Sequence, residues 1–273
     1  MRKVLPLALK VRNCCPLLSL LFISAAAADP VTSRSPEAEA ATYERCMKLA
    51  KQDAAAAQKM AAAWHDRGGA HPADHCSAIA LVGLKQYTEA ATRLETLAQA
   101  MDRAPAALRA QVLDQAGQAW LLAGDPVRAY ATAGASLTLL PNDPDLLIDR
   151  AEAAASAGYL DQAVADLDRV LKTDPRRVDA LIYRASANRA LDRLDPALAD
   201  VEKALAQVPG SVPALLERGN IRRLKGDLMG ARQDWERVGQ LAPGSQADMA
   251  ARANLQHLEY KGDTEPAETN PGR

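Results

Sequence analysis

Apolar and small residues recur along the chain at helical spacing, and the pattern repeats every 34 residues from Ala110 to about Gly244. A proline follows each unit and ends its helical segment, since proline cannot continue a helix. The four prolines are Pro141, Pro175, Pro209 and Pro243. Four ungapped units of this length predict four helical hairpins at about residues 110–143, 144–177, 178–211 and 212–245.

Three columns of the repeat hold small or apolar residues. An alanine lies twelve residues before each proline, a glycine or alanine lies twelve residues earlier, and a leucine lies four residues before that. Small residues allow the two helices of a hairpin to cross closely, and the leucine adds an apolar contact beside the crossing. The three columns are Ala129, Ala163, Ala197 and Ala231; Gly117, Ala151, Ala185 and Gly219; and Leu113, Leu147, Leu181 and Leu215.

This pattern resembles the tetratricopeptide repeat, whose motif combines a large residue, Leu-Gly, two aromatic residues, two alanines and a proline in 34 residues. The resemblance implies an all-α fold, an α-solenoid of antiparallel helical hairpins wound into a right-handed superhelix. The chain has fewer aromatic residues than the motif. The two aromatic columns read Trp120, Ala154, Asn188 and Arg222, and Ala133, Leu167, Val201 and Trp235.

Weaker helical patterns flank the four repeats of residues 105–244. Residues 37–104 predict degenerate N-terminal hairpins, and residues 246–260 predict a helix that caps the last repeat, as solenoid ends require. Residues 29–36 are expected to form a short linker. Residues 261–273 are polar with Pro and Gly, and we expect a disordered tail. No structureless linker breaks the body, so the sequence predicts one continuous solenoid.

One column carries arginine where the family motif usually has leucine, and an aspartate follows each arginine by sixteen residues. The first repeat has Ala116 and Thr132 at these columns and lacks both partners together. We therefore expect structural ion pairs between the two helices of a hairpin. The alternative is an arginine clamp for phosphates or carboxylates. The pairs are Arg150 with Asp166, Arg184 with Asp200, and Arg218 with Asp234.

In the family, the first helix of each hairpin lines a concave groove that receives a peptide. By alignment, the resemblance implies a protein or peptide partner with charged and apolar anchors. Ordinary solvated helix surface is the alternative for every position. The full Lys/Asn set that holds a C-terminal carboxylate in some members is missing. The groove positions that the alignment gives are Gln111, Asp114, Gln118, Leu121, Asp145, Ile148, Glu152, Asp179, Ile182, Ser186, Arg189, Leu216, Asn220 and Arg223.

The N-terminal segment, residues 1–28, has the order of a secretory signal peptide. Four basic residues precede an apolar stretch from Pro16 to Ser24, and small residues at Ala26 and Ala28 follow. We expect cleavage and export to the periplasm of a bacterium, with secretion as the alternative. The competing interpretation is an uncleaved anchor, but its apolar length is short of the roughly 20 residues that a membrane span requires. No later segment is apolar enough to span a membrane.

Removal of this segment changes the charge and the cysteine count. The formal net charge of −1 becomes about −5, with 29 Lys and Arg against 34 Asp and Glu. This acidic balance and an aromatic content of 4% disfavour a nucleic-acid partner. Cys14 and Cys15 are lost, so Cys46 and Cys76 remain as an even pair in an oxidising compartment. They are expected to form a disulfide, with two buried free thiols as the alternative.

Catalytic motifs are absent from the sequence: it has no P-loop, dinucleotide fingerprint, Gly-x-Ser-x-Gly or His-Glu-x-x-His. The only concentrated metal-ligand candidates are His65, His71, His75 and Cys76. Pro72 is expected to keep His71 outside the helix that carries His75, so ordinary helix-end polar residues are the preferred interpretation. We expect neither a metal nor a cofactor, and no enzyme activity.

The sequence thus predicts a non-catalytic protein-binding or peptide-binding scaffold of the cell envelope. One alternative is a structural or regulatory subunit that stays bound to an envelope enzyme complex. A remote alternative is a metal-binding enzyme that uses the His65–Cys76 region. The identity of a partner depends on surface residues that the fold does not specify.

Overall fold

The computed structural model describes residues 35–264, and all regular secondary structure in this range is helical. The expected signal peptide, residues 29–34 of the linker and residues 265–273 of the tail lie outside the described residues. The helices are α1 (Pro36–Gln52), α2 (Ala54–His65), α3 (Ala70–Gly83), α4 (Tyr87–Ala100), α5 (Ala106–Leu122), α6 (Pro126–Leu139), α7 (Pro144–Ala157), α8 (Leu160–Thr173), α9 (Val178–Ala190), α10 (Leu194–Gln207), α11 (Val212–Leu224), α12 (Leu228–Leu241) and α13 (Gln246–Thr264).

Contacts divide the described chain into two compact units, an N-terminal unit of residues 35–153 and a C-terminal unit of residues 154–264. The division falls inside α7. In the N-terminal unit each helix from α1 to α5 packs against the next, and α5 packs against α6. In the C-terminal unit the same holds from α8 to α13. The odd-numbered helices are the first helices of hairpins, and the even-numbered helices from α2 to α12 are the second helices.

Side chains and prolines fix where several helices begin. Asp53, Asp125 and Asp227 each accept a hydrogen bond from a backbone N–H in the first turn of the helix that follows, at 2.8–3.0 Å. Such N-caps satisfy amides that have no partner within the helix. Pro126 lies at the start of α6, where its missing N–H costs nothing.

A residue with positive φ joins the two helices of each of the four repeats. Gly124, Gly158 and Gly226 have φ of 78°, 83° and 87°. The corresponding residue of the third repeat is Asp192, with φ of 62°. Aspartate tolerates this left-handed conformation better than most side chains. The turns that the sequence places between the helices therefore share a left-handed φ at the same position of the repeat.

The small-residue columns lie where the helices of a hairpin approach each other. A Cβ atom added to Gly117 would lie 3.5 Å from the carbonyl oxygen of Ala129 on the second helix. A Cβ atom added to Gly219 would lie only 2.5 Å from Nε1 of Trp235. The alanines of the second helix are fully buried, including Ala129 and Ala231. Close crossing, rather than large aromatic side chains, accordingly builds most of the core.

The N-terminal hairpins contain the predicted disulfide. Cys46 of α1 and Cys76 of α3 are bonded, with their Cα atoms 6.1 Å apart. Both lie in a core cluster with Tyr43, Trp64 and neighbouring alanines. The indole of Trp64 donates a hydrogen bond to Glu39 at 3.0 Å. The disulfide therefore joins two successive first helices.

The last helix is longer than the sequence predicts. It begins at Gln246, as expected, but ends at Thr264 rather than residue 260. Residues 261–264, which the sequence assigns to the disordered tail, are therefore helical. The first proline after the cap is Pro266, and a glycine inside a helix costs only about 1 kcal/mol relative to alanine. No helix within residues 35–264 has the length and apolar character needed to cross a membrane.

Candidate interaction surfaces

Two of the predicted arginine–aspartate pairs are bidentate ion pairs in the C-terminal unit. Arg184 donates from Nε and Nη2 to Asp200 at 2.7 and 2.8 Å, and Arg218 donates to Asp234 at 2.9 and 2.6 Å. Both aspartates are buried. The hydrogen bonds to the aspartates raise the pKa of Arg184 and of Arg218 above the ordinary value. These guanidinium groups are committed to structural partners.

Each of these two pairs has an additional charged neighbour. Arg184 also donates from Nη1 to the exposed Asp168 at 2.6 Å. Asp234 also accepts from Nη1 of Arg222 at 2.9 Å. Arg150 lies in the N-terminal unit, where its guanidinium carbon is 5.7 Å from the ring centroid of Tyr130.

The predicted groove positions of the N-terminal unit are not all available to a ligand. Asp114 accepts a hydrogen bond from Gln118 at 3.0 Å, whereas Gln111 is exposed. Leu121 packs against a core cluster. Ile148 is 3% exposed, so its assignment to a groove surface is wrong. Asp145 and Glu152 are half-buried.

Two groove assignments in the C-terminal unit are also wrong. Ile182 and Ser186 of α9 are buried, and α9 packs against the neighbouring first helix α11 as well as against α8 and α10. Asp179 is half-buried and forms an ion pair with Arg177 at 2.7 Å. The sequence columns do not reveal such contacts between first helices.

The remaining positions form a row across the first helices of the C-terminal unit. Arg189 donates to Glu217 at 2.5 Å and links α9 to α11. Asn254 donates to Asn220 at 3.0 Å and links α13 to α11. Leu216 and Arg223 are half-buried on the same face of α11 as Asn220, at helical spacing. We call Arg189, Leu216, Asn220, Arg223 and Asn254 the first-helix row.

Arg223 differs from Arg189, the other cation of the row. Its guanidinium forms no hydrogen bond or ion pair with any of the described residues. The repeat explains why: Arg223 occupies the column of Arg189 one repeat later, but the column of Glu217 then holds Ala251, which is fully buried. The row therefore presents one half-buried cation without an acid of its own among the described residues.

Sequence reasoning missed Glu217 and Asn254. Asn254 occupies the column of Asn220 one repeat later, so extending the repeat into α13 finds it. The column of Glu217 holds Gln115, Asp149 and Tyr183 in the earlier repeats. Because this column varies in charge and size, no periodic signal marks Glu217.

The N-terminal unit contains a mainly apolar cavity of about 390 Å³. Leu97, Met101, Leu108 and Val112 line it, with Tyr43 at its wall. Apolar cavities of a few hundred Å³ are typical of sites that take an apolar side chain or small ligand.

Two of the histidines that the sequence offers as metal ligands, His65 and His75, have other partners, and His71 is exposed. His75 donates from Nε2 to Oε1 of Gln115 at 2.6 Å, and its Nδ1 lies 2.8 Å from Oη of Tyr43. Cys76 is in the disulfide, and His65 pairs with Asp74 at 2.7 Å. The described residues contain no group of three His, Cys, Asp or Glu arranged for a metal.

One detail of the sequence interpretation is wrong. The helix α3 begins at Ala70, so His71 and His75 lie on the same helix. Pro72 is tolerated because it occupies the first turn, where its N–H is not needed.

Acidification is expected to destabilise the N-terminal unit through His75. Burial lowers the pKa of His75 below the usual 6.5, although the hydrogen bond to Gln115 opposes the shift. Below pH about 6.5 the unfolded chain binds a proton that the folded chain resists, so the free energy of unfolding falls as the pH falls. Denaturant titrations near pH 7.5 and pH 5.5 measure this difference.

The matched variant is His75→Gln, which keeps hydrogen-bonding capacity and does not titrate. The variant need not be as stable as the wild type, because the comparison concerns only how much the free energy of unfolding of each protein changes between the two pH values. The wild type should lose more stability between the two pH values than the variant. Equal losses in both proteins would contradict the role of His75.

Comparison with known proteins identifies the fold. No protein-family model and no curated protein matches the chain. A tetratricopeptide repeat protein from Parabacteroides merdae is 14% identical with a TM-score of 0.68, over 82% of this chain and 89% of that chain. TTC0263, a tetratricopeptide repeat protein of Thermus thermophilus, is 19% identical with a TM-score of 0.55, over 70% of this chain and 100% of that chain.

A third similar structure is a double mutant of MamA from strain RS-1. It is 19% identical with a TM-score of 0.53, over 63% of this chain and 93% of that chain. At these identities the likeness concerns the fold alone. The predicted all-α solenoid of helical hairpins is thereby confirmed, and it is the fold of tetratricopeptide repeat proteins.

Proposed function

We propose that the chain is a non-catalytic scaffold that binds a protein or peptide on the first-helix row of the C-terminal unit. The observation that carries this proposal is the half-buried residue Arg223, whose guanidinium has no acid partner among the described residues. An arginine in such a place is partly desolvated without a compensating charge. A carboxylate from a partner restores the missing charge pair, as Glu217 does for Arg189.

The row also specifies the spacing of a partner's anchors. Leu216 and Arg223 are seven residues apart on one face of α11, which corresponds to about 10 Å along the helix axis. An extended peptide advances about 3.3 Å per residue. A peptide that lies along α11 therefore places an acidic side chain on Arg223 and an apolar side chain on Leu216 when they are about three residues apart.

The amides beside Arg223 suit the backbone of such a peptide. Asn220 and Asn254 bond to each other through one donor and one acceptor, and each amide has further donors and acceptors. These groups are able to hold the main chain of an extended segment in register.

The cellular setting of the proposal rests on the sequence. The N-terminal segment, with its basic start and short apolar stretch, supports export and a periplasmic scaffold that serves an envelope assembly. A permanently bound subunit of an envelope enzyme complex is the alternative. Stable co-purification at fixed stoichiometry favours the subunit, and exchange with varied partners favours the scaffold.

Peptides with an acidic residue and an apolar residue three positions apart should be enriched among ligands of the mature protein. An array of random peptides probed with labelled protein measures this enrichment. Arg223→Ala is expected to lower the affinity for the enriched peptides by about 10- to 100-fold, which corresponds to the loss of a hydrogen bond to a charged group. The melting temperature should stay unchanged, because the described residues give Arg223 no partner to lose.

Arg237→Ala is the matched control. Arg237 is an exposed arginine on the second helix α12 that bonds to Gln240. This variant should bind every peptide as the wild type does. If Arg223→Ala and Arg237→Ala lower the peptide affinity equally, the effect comes from the net charge of the protein rather than from Arg223. Enrichment of peptides that lack acidic residues would also contradict the proposal.

A further inference from the structure

The last helix carries the signature of a first helix. Met249, Arg252 and Ala253 lie one repeat length after Leu215, Arg218 and Gly219. They continue the leucine column, the arginine column and the small-residue column of the repeat. The signature includes Arg252, the fourth arginine after Arg150, Arg184 and Arg218 at the same period.

These positions are covered in α11 but exposed in α13. Leu215 is 4% exposed and Met249 is 60% exposed. The side chain of Arg218 is 22% exposed and that of Arg252 is 68% exposed. Gly219 is buried, whereas Ala253 is exposed. We call Met249, Arg252 and Ala253 the outer face of α13.

The second helix α12 accounts for the difference. Trp235 of α12 lies against Gly219, and Asp234 of α12 holds Arg218. Within residues 35–264, no second helix follows α13. Residues 265–273 contain Pro266 and Pro271 and have neither aspartate nor a bulky apolar residue, so these residues do not match a second helix.

We infer that the outer face of α13 docks an amphipathic helix of a partner protein, which takes the place of a second helix beside α13. The second helices of the chain define the chemistry of that partner. Three of them, α8, α10 and α12, present an alanine, an aspartate three residues later and then a bulky apolar residue. The three examples are Ala163, Asp166 and Leu167; Ala197, Asp200 and Val201; and Ala231, Asp234 and Trp235.

The partner helix is expected to carry an aspartate because its negative charge complements Arg252. Arg252 donates from Nε to Asp248 of its own helix at 2.9 Å. Its two Nη groups form no hydrogen bond with the described residues, whereas Arg184 and Arg218 use theirs on aspartates of the second helix. Asp248 is itself fixed, because it also accepts from the backbone of Gly244 at 2.8 Å. The Nη groups of Arg252 are therefore available to a carboxylate of a partner.

The probe is a peptide with the sequence of α10, residues 194–207, which contains Ala197, Asp200 and Val201. A peptide of this length is only marginally helical in water. The peptide therefore carries Ala199→Glu, and a lactam joins this glutamate to Lys203 one turn later. Positions 199 and 203 are both exposed in α10, so the lactam lies away from the docking face. Binding of the labelled peptide to the full-length protein is measured by fluorescence anisotropy.

Arg252→Ala and Met249→Lys are each expected to weaken this binding at least about tenfold, the size of one lost anchor. The same loss is expected for a peptide with Asp200→Asn bound to the wild-type protein. Arg237→Ala should bind the peptide normally, since Arg237 lies on α12 and bonds to Gln240.

Met249→Lys should melt close to the wild type, since Met249 is exposed. Arg252→Ala also removes the partner of the buried Asp248 and is expected to lose some stability, so its binding is measured well below its own melting temperature.

Several results would overturn the inference. One is that the lactam peptide does not bind the wild-type protein. Another is binding that is insensitive to Arg252→Ala, which would mean that the peptide displaces the chain's own α10. Self-association of the wild type that Met249→Lys abolishes, without peptide binding, would assign the face to a second copy of the chain. The first-helix row is untouched by these variants, so failure here leaves the peptide-binding proposal intact.

Discussion

Asp234→Ala is expected to lower the free energy of unfolding by about 3–5 kcal/mol, the usual cost of removing one partner from a buried ion pair. Asp234 is 3% exposed and accepts hydrogen bonds from both Arg218 and Arg222. The substitution leaves two partly buried guanidinium groups without this acceptor. Denaturant unfolding followed by circular dichroism measures the loss.

The control is Asp168→Ala. Asp168 bonds to Arg184, but its side chain is 55% exposed, and exposed ion pairs contribute about 0–1 kcal/mol. Equal effects of the two substitutions would mean that the buried arginine–aspartate pairs stabilise the fold no more than a surface ion pair does. Loss of peptide binding with unchanged stability in Asp234→Ala would instead support the arginine clamp.

Removal of the disulfide is expected to lower the free energy of unfolding of the N-terminal unit by about 3–4 kcal/mol. The bond closes a loop between residues 30 positions apart, and its removal restores the entropy of that loop to the unfolded chain. Its sulfurs lie in a core cluster with Trp64, so the packing of α1 against α3 should loosen as well. Denaturant titration with and without dithiothreitol measures the effect.

The matched variant replaces both Cys46 and Cys76 by serine. It should resemble the reduced wild type and should not respond to dithiothreitol. If the reduced wild type is as stable as the oxidised protein, the bond does not stabilise this end of the chain.

The parts of the fold that follow from the sequence are those with a periodic cause. A proline ends each unit, and small residues recur where two helices cross, so the hairpins are visible in the 34-residue period. The arginine–aspartate pairs were also predictable, because Arg184 and Asp200 recur together as Arg218 and Asp234. The paired cysteines followed from their number once the N-terminal segment is set aside.

Contacts between neighbouring first helices were not predictable in the same way. Ile182 and Ser186 align with surface positions of the family but are buried here by packing that involves several helices. The pair of Arg189 and Glu217 occurs once among the described contacts, so it leaves no periodic trace. The difference between Arg223 and Arg189 depends on that pair, so the sequence pattern does not contain it either.

Photo-crosslinking tests peptide binding on the first-helix row most directly. An enriched peptide carries photo-leucine in place of its apolar anchor, and mass spectrometry locates the crosslinked residues on the full-length protein. Crosslinks should fall on α11 around Leu216, should be lost in Arg223→Ala and should persist in Arg237→Ala. Crosslinks confined to second helices such as α10 and α12, or unchanged in Arg223→Ala, would contradict the account.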